Sequence, residues 1–229
     1  MEIPVYRHDY GACPYLPDRN WVTQFFQTSD MPEALYESLL NVGWRRSSNI
    51  FYLNDCENCK ECIPIRVDAD NFKASKSQRK CLNKNADIRI EREPATFRQQ
   101  DFELFKKYDE SWHDSKHNVD EESYRQMNVE SPLCTEVMRY FIADELVGLS
   151  WIDVLPNAIS SVYFSFDPDF SERSLGVFSM LKEIELCRDL GKRWLQVGFY
   201  IKGCKKMNYK SKYKPYQLLI DNEWVDPVS

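Results

Sequence analysis

Met138-Arg-Tyr-Phe-Ile142, Leu146-Val-Gly-Leu-Ser-Trp-Ile-Asp-Val154 and Ala158-Ile-Ser-Ser-Val-Tyr-Phe-Ser-Phe166 follow one another with only Asp144-Glu145 and Pro156-Asn157 as turn signals between them. Each run is rich in β-branched and aromatic residues, which favour a pleated, half-buried backbone. Three such strands in succession predict an antiparallel meander. Behind them, Arg173-Ser174-Leu175-Gly176 opens a helix whose Val177, Phe178, Leu181, Ile184 and Leu190 fall on one side, and Gly191 closes it. Trp194 to Ile201 is a further strand, and Gln217 to Ile220 another.

Working back from the meander, Phe97 to Trp112 and Glu121 to Val129 have helical spacing, with Phe102, Leu104, Phe105 and Tyr108 on the buried face. Earlier still, Trp21 to Phe26 is strand-like. Ser29-Asp30-Met31-Pro32 starts a helix with Leu35, Leu39 and Leu40 as its apolar stripe, ended by Gly43. Ile50 to Leu53 and Ile63 to Val67 are expected as strands on either side of a cysteine loop. Ser75 to Lys84 is expected as a basic helix, and Ile88 to Ile90 as a short strand. Helices, then strands, then a helix and a strand match an α+β protein of the acyl-CoA N-acyltransferase (GNAT) type, a mixed sheet with flanking helices. The expected division is residues 1–95, a subdomain carrying the cysteines, and residues 96–229, the transferase-like part.

The chain has 229 residues, enough to bury a sizeable core, and its 43% hydrophobic content with 14% aromatics is that of a globular protein. No apolar run approaches the roughly 18 residues of a membrane span, and residues 1–20 lack a basic-then-apolar leader. A cytoplasmic protein without a membrane partner is expected, and a monomer. In that compartment eight cysteines are thiols or metal ligands rather than a disulfide framework.

Cys56-Glu-Asn-Cys59-Lys-Glu-Cys62 places three thiols on one short loop. With Cys13 as a fourth, they have the ligand types of a tetrahedral zinc site or an iron-sulfur cluster. The alternative is four reduced thiols, some packed as small hydrophobes.

The net charge of −6 disfavours a nucleic-acid partner, but its distribution does not. Lys73, Lys76, Arg79, Lys80, Lys84, Arg89 and Arg92 face only Asp87 and Glu91 between residues 73 and 92. Lys202, Lys205, Lys206, Lys210, Lys212 and Lys214 have no acid among them and are interleaved with Tyr209, Tyr213 and Tyr216. Cations with stacking rings suit an RNA backbone and its bases. A pair of solvated lysine faces is the plainer alternative. The helix start at Arg173 to Gly176 lacks the glycine-rich loop that a coenzyme A pyrophosphate demands, which points to another acyl donor.

Seven motifs in order carry a resemblance. They are Cys13-Pro-Tyr-Leu-Pro-Asp-Arg19, Gly43-Trp-Arg45-Arg46-Ser47, the cysteine loop ending in Pro64-Ile-Arg66, Ser75-Lys76-Ser-Gln-Arg79-Lys80, Asp153-Val-Leu-Pro-Asn157 running on to Val162-Tyr163-Phe-Ser-Phe-Asp167-Pro168, Arg173-Ser174-Leu-Gly176, and Gly203-Cys204-Lys-Lys206-Met-Asn-Tyr209-Lys210. Together they resemble the bacterial aminoacyl-tRNA-protein transferases, above all the aspartate/glutamate leucyltransferases.

That resemblance implies transfer of leucine from charged tRNA to proteins that begin with Asp or Glu, which makes an N-degron, with no cofactor required for the chemistry. It also accounts for the basic stretches. Arg45, Arg46 and Arg79 are the forked donors suited to an acceptor carboxylate, one of the first two being expected as a structural ion pair. Asp167, with Tyr163 in register, is placed to bind the acceptor ammonium and pass on its proton. Lys76, Lys80, Arg173, Ser174, Lys206 and Lys210 are assigned to tRNA. His113 and His117 have the spacing of an acid-base pair but no role in the resemblance. Where relatives usually carry Leu-Gly-Tyr, this chain has Gln196-Val-Gly198-Phe-Tyr200, near the acyl pocket, so an arginyl donor stays open. So do a non-catalytic zinc or iron-sulfur RNA-binding module and a coenzyme A-dependent N-acetyltransferase.

Overall fold

The computed structural model describes residues 3–112 and 119–227. β1 (Tyr6–Ala12), β2 (Asn20–Gln27), β3 (Arg45–Ser47) and β4 (Ile50–Asn54) form a four-stranded sheet in the order β1-β2-β4-β3, with α1 (Glu33–Asn41) between β2 and β3. Its apolar face carries Phe26 and Phe51, stacked at 5.2 Å, and Tyr36 of α1 meets Phe51 edge-on. Tyr36, Leu40 and Phe51 are fully buried, and each such side chain contributes about 2–3 kcal/mol relative to exposure. Leu35, expected in the stripe of α1, is exposed, because the helix turns Tyr36, Glu37 and Leu40 inward instead.

The second sheet has eight strands in the order β12-β11-β5-β10-β9-β8-β7-β6. They are β5 (Ile63–Asp68), β6 (Ile88–Pro94), β7 (Thr135–Ile142), β8 (Glu145–Val154), β9 (Ala158–Phe166), β10 (Trp194–Tyr200), β11 (Tyr216–Ile220) and β12 (Glu223–Val225). The strands flanking the cysteine loop therefore belong to different sheets. The expected boundary at residue 95 does not coincide with the one between sheets, since β5 and β6 precede it.

Among these neighbours only β9 and β10 run parallel, joined through α5 (Leu175–Asp189), as a parallel pair requires. Alternate strand residues face opposite sides. Met138, Tyr140, Ile152 and Ile159 pack with α5, close to α2 (Lys76–Lys84), while Val137, Leu149 and Trp151 pack with α3 (Gln99–Trp112) and α4 (Glu121–Asn128). α2 starts on a capping box, Ser75 with Gln78, which satisfies two first-turn donors. No helix among the described residues is long and apolar enough to cross a membrane.

Two buried ion pairs tie the layers. Arg139, fully buried, holds Asp101 of α3 at 2.7 to 3.1 Å. Arg46 of β3 grips both oxygens of Asp153 on β8 at 2.7 and 2.5 Å and reaches Thr135 at 2.7 Å, joining one sheet to the other.

Candidate active site

β9 and β10 pair only from Ala158/Trp194 to Ser160/Gln196, then separate. A bulge lies on each side of the split. The β8/β9 register shifts between Trp151 and Ile152, opposite Val162, and the β10/β5 register shifts between Gln196 and Phe199, at Val197 and Gly198. Bulges bend strands, and these two bend β9 and β10 apart at their C-terminal ends. A crevice outside the carboxyl ends of parallel strands is where α/β sheets receive ligands.

Gly198 takes a left-handed φ of +81°, which a side chain resists. The carbonyls at this bend are met by cations. Arg45 Nη2 donates to Gly198 O at 3.1 Å and to Gln196 Oε1 at 3.4 Å, and Lys210 Nζ donates to Phe199 O at 3.0 Å. Arg45 and Lys210 are 5% and 8% exposed. Arg45 Nε has no partner in the structure. Burial, and then the charge of Arg45, lower the Lys210 pKa to about 8.

Beneath the meander, α5 contributes a polar stripe. Glu183, 1% exposed, accepts from Ser150 and, at 3.1 Å, from Ser179, which in turn meets the Tyr140 hydroxyl at 3.1 Å. Glu183 Oε2 has no partner, and burial raises the carboxyl pKa. The Tyr209 phenol, raised first by burial, feels Glu183 from the α5 face and Tyr108 from the α3 face.

The two basic stretches meet in space. Gln78 of α2 donates to Lys212 O at 3.4 Å, so Lys76, Arg79 and Lys80, all exposed, adjoin the segment that holds α6 (Lys205–Asn208) with exposed Lys205 and Lys206. The end of α2 is latched to the turn before α5. Lys84 Nζ donates to Glu172 O at 2.5 Å, Asn85 Nδ2 to Arg173 O at 2.9 Å, and the Cys81 thiol to Ser174 O at 3.7 Å. Arg173 is paired with Asp87 at 2.7 Å, and Ser174 is left-handed with no capping hydrogen bond. Both residues lie where α2 meets the start of α5.

Residues 11–80 match the family model for the N terminus of arginine-tRNA-protein transferase, and residues 100–220 match that for its C terminus. The aspartate/glutamate leucyltransferase of Saccharophagus degradans is 36% identical over 228 residues, 98% of this chain and 97% of that one. That of Teredinibacter turnerae is 36% identical over 229 residues, 98% and 94% of the two. The chain belongs to the arginine-tRNA-protein transferase family. Among solved structures, L-PGS from Bacillus licheniformis aligns with a TM-score of 0.47 at 16% identity, over 76% of this chain and 51% of that one.

As a member of that family the chain is an aminoacyl-tRNA-protein transferase, and the remaining residues take their places accordingly. Arg46 is the structural partner of Asp153, so it is not available to an acceptor; Arg45 is the arginine at the split, and Arg79 stays on the outer surface of α2. Asp167 is engaged by Lys107 of α3 at 2.7 Å and caps the turn after β9 through Asp169 N at 2.9 Å, so its carboxylate already holds a cation. Tyr163 is packed among Phe105, Tyr108 and Trp151, and burial pushes its phenol far up. Lys210, assigned from sequence to tRNA phosphates, points inward. His113 and His117 lie outside the described residues.

Cys13, Cys56, Cys59 and Cys62 are neighbours but do not form a ligand set. Burial first, and then Cys56, Cys13 and Cys59, push the Cys62 thiol up to about 12. Cys56 Sγ instead bonds the Val22 backbone, 3.4 Å from N and 3.5 Å from O. Among the described residues no group of three or more His, Cys, Asp or Glu is arranged to hold a metal ion. Cys56, Cys59 and Cys62 do line a cavity of about 310 Å³ with Gly43, Pro64 and Phe199, so the cysteine loop borders β10.

Sequence reasoning missed Glu183. Its signal was present, since Ser179, Glu183 and Cys187 form an i, i+4, i+8 polar stripe on a helix otherwise read from its apolar face.

Proposed function

We infer that the chain transfers leucine from leucyl-tRNA to the α-amine of proteins that begin with Asp or Glu, marking them for proteolysis. What supports this reading is the split between β9 and β10, together with the contact that brings basic α2 against the lysine-rich segment 202–214 from a distant part of the sequence. The donor is an activated ester, so the protein's task is mainly to hold two substrates in line. Lys76, Arg79, Lys80 and Lys206 neutralise tRNA phosphates. Arg45, at the split with Nε unpartnered, receives the acceptor's carboxylate.

The leucyl side chain enters the cavity beside Phe199, whose walls include Val42, Leu53, Ile63, Pro64 and Leu219. Its one carboxylate, Asp221, is at the exposed rim with Lys60, 3.7 Å away, so the walls favour an aliphatic side chain over a guanidinium. The architecture is of the acyl-CoA N-acyltransferase type, with β9-α5-β10 as the donor-binding unit and the four-stranded sheet with its cysteine loop as an added subdomain. The chain acts as a monomer in the cytoplasm, where charged tRNA is available.

The test is incubation with radiolabelled leucyl-tRNA or arginyl-tRNA and a peptide starting with Asp. Leucine is expected on the peptide. Label from arginyl-tRNA alone would reassign the donor, and tRNA binding without transfer of either would overturn the reading.

A further inference from the structure

Lys210 stands apart from the lysines around it. Lys202, Lys205, Lys206, Lys212 and Lys214 are exposed, whereas Lys210 is buried, with Nζ 3.0 Å from Phe199 O and 3.9 Å from Met207 Sδ. An ammonium has three donors, and a single carbonyl engages one of them fully. Gly198 leaves room beside the others, since a Cβ there would come within 3.5 Å of Nζ.

The groups that face Lys210 are Arg45 from β3, the Cys62 thiol before β5, and Cys204 and Tyr209 from its own segment, the Tyr209 ring centre 6.0 Å away. None is a carboxylate. A lysine that served only to neutralise phosphate has no reason to be desolvated beside an arginine. Desolvation makes sense where the proton itself is used, and a pKa of about 8 lets a lysine give up and regain one near neutral pH.

We propose that Lys210 is a catalytic residue: its ammonium meets the aminoacyl ester at the open end of the β9/β10 split and protonates the departing ribose oxygen. This rests on the transfer reaction inferred above. The acceptor's amine nitrogen bonds to the ester carbonyl carbon as the bond from that carbon to the ribose oxygen breaks. The ribose oxygen takes its proton from Lys210. The nitrogen, left with one proton too many, returns one to Lys210 through solvent, and no further reactant is needed.

The experiment is single-turnover transfer from radiolabelled leucyl-tRNA to an Asp-initiated peptide between about pH 6 and about pH 9.5, for the wild type, Lys210→Met and Lys210→Arg, with tRNA Kd measured in parallel. The wild-type rate is expected to rise toward about pH 8 as the acceptor α-amine loses its proton, and to fall above it as Lys210 loses its own. Lys210→Met should slow transfer by about 10²- to 10⁴-fold with tRNA Kd changed by about twofold or less. Lys210→Arg keeps the charge but not a transferable proton, so it should bind tRNA normally, be slowed, and lose the alkaline fall.

Lys210→Met transferring within about threefold of wild type overturns the proposal. So does an alkaline fall that persists in Lys210→Arg, or a defect in both variants that resides wholly in tRNA Kd. If Lys210→Met fails to fold by circular dichroism, the Lys210→Arg profile decides. A wild type that transfers no leucine overturns the transferase reading itself, whereas wild-type transfer with an undiminished Lys210→Met overturns only the role of Lys210.

Discussion

Between β6 and β9 the large sheet is paired almost residue by residue, from Ile88/Ile142 to Pro94/Glu136 on one side and from Gly148/Phe166 to Val154/Ile159 on the other. Between β9 and β10 pairing ends after Gln196, and the carbonyls of Gly198 and Phe199 turn to Arg45 and Lys210. In the regular part, backbone satisfies backbone and ionic groups serve as anchors, as with Arg139 and Asp101. At the junction, charged side chains do the work of a missing strand and remain close to open space. Irregular backbone and desolvated cations together set this junction apart from the rigid part of the sheet.

This contrast can be broken by mutation. Arg46→Met and Arg139→Met each leave a buried carboxylate uncompensated and should cost about 3–5 kcal/mol in urea unfolding. Arg139→Met should nevertheless leave transfer per folded molecule close to wild type. A loss of catalysis as large as the loss of stability would erase the distinction between the two parts of the sheet.

Gly198→Ala should do the reverse. Its left-handed backbone costs a side chain about 1–2 kcal/mol, and the new Cβ would fill the space beside Lys210 Nζ, 3.5 Å away, so transfer should fall by more than stability accounts for. Equal losses would mean that the bend is only structural.

Glu183→Gln sharpens the comparison through pH. The folded pKa of Glu183 lies above its unfolded value, so the native state holds the proton more tightly, and stability declines as pH rises from the ordinary carboxyl range through the raised folded pKa. The Gln variant lacks that term, and its melting temperature should gain on the wild type as pH rises across this window. Parallel melting curves would place the charge elsewhere.

The smallest effect on stability belongs to Lys206→Glu, within about 0.5 kcal/mol, while the salt slope of tRNA binding should flatten by about 0.7–0.9. An unchanged slope would remove Lys206 from the basic face.

The regular part was the legible part. The three meander strands, the α5 helix and the Ser75 start of α2 follow from period, turn residues and capping, all local signals. β1, whose Tyr6–Ala12 run is exposed at almost every position, has no hydrophobic alternation to announce it. β3, only three residues long, pairs with β4 across a tight turn but is too short to show a period, and the burial of Arg46 on it depends on Asp153, 107 positions away. The same limit shaped the site. Sequence grouped Lys210 with its neighbours by charge, and only the return of the chain beneath β10 separates it from them. It likewise paired Arg45 with Arg46, although alternation along β3 sends one to the split and the other to an anchor.

The latch between α2 and the turn before α5 has a mechanical consequence. Cys81, Lys84 and Asn85 donate to three successive carbonyls, those of Ser174, Glu172 and Arg173, while Arg173 is itself held by Asp87. The helix that carries exposed lysines is thereby fixed to the start of α5, which packs directly on the large sheet. A ligand bound by those lysines is presented at a set distance from the sheet, without a hinge between them.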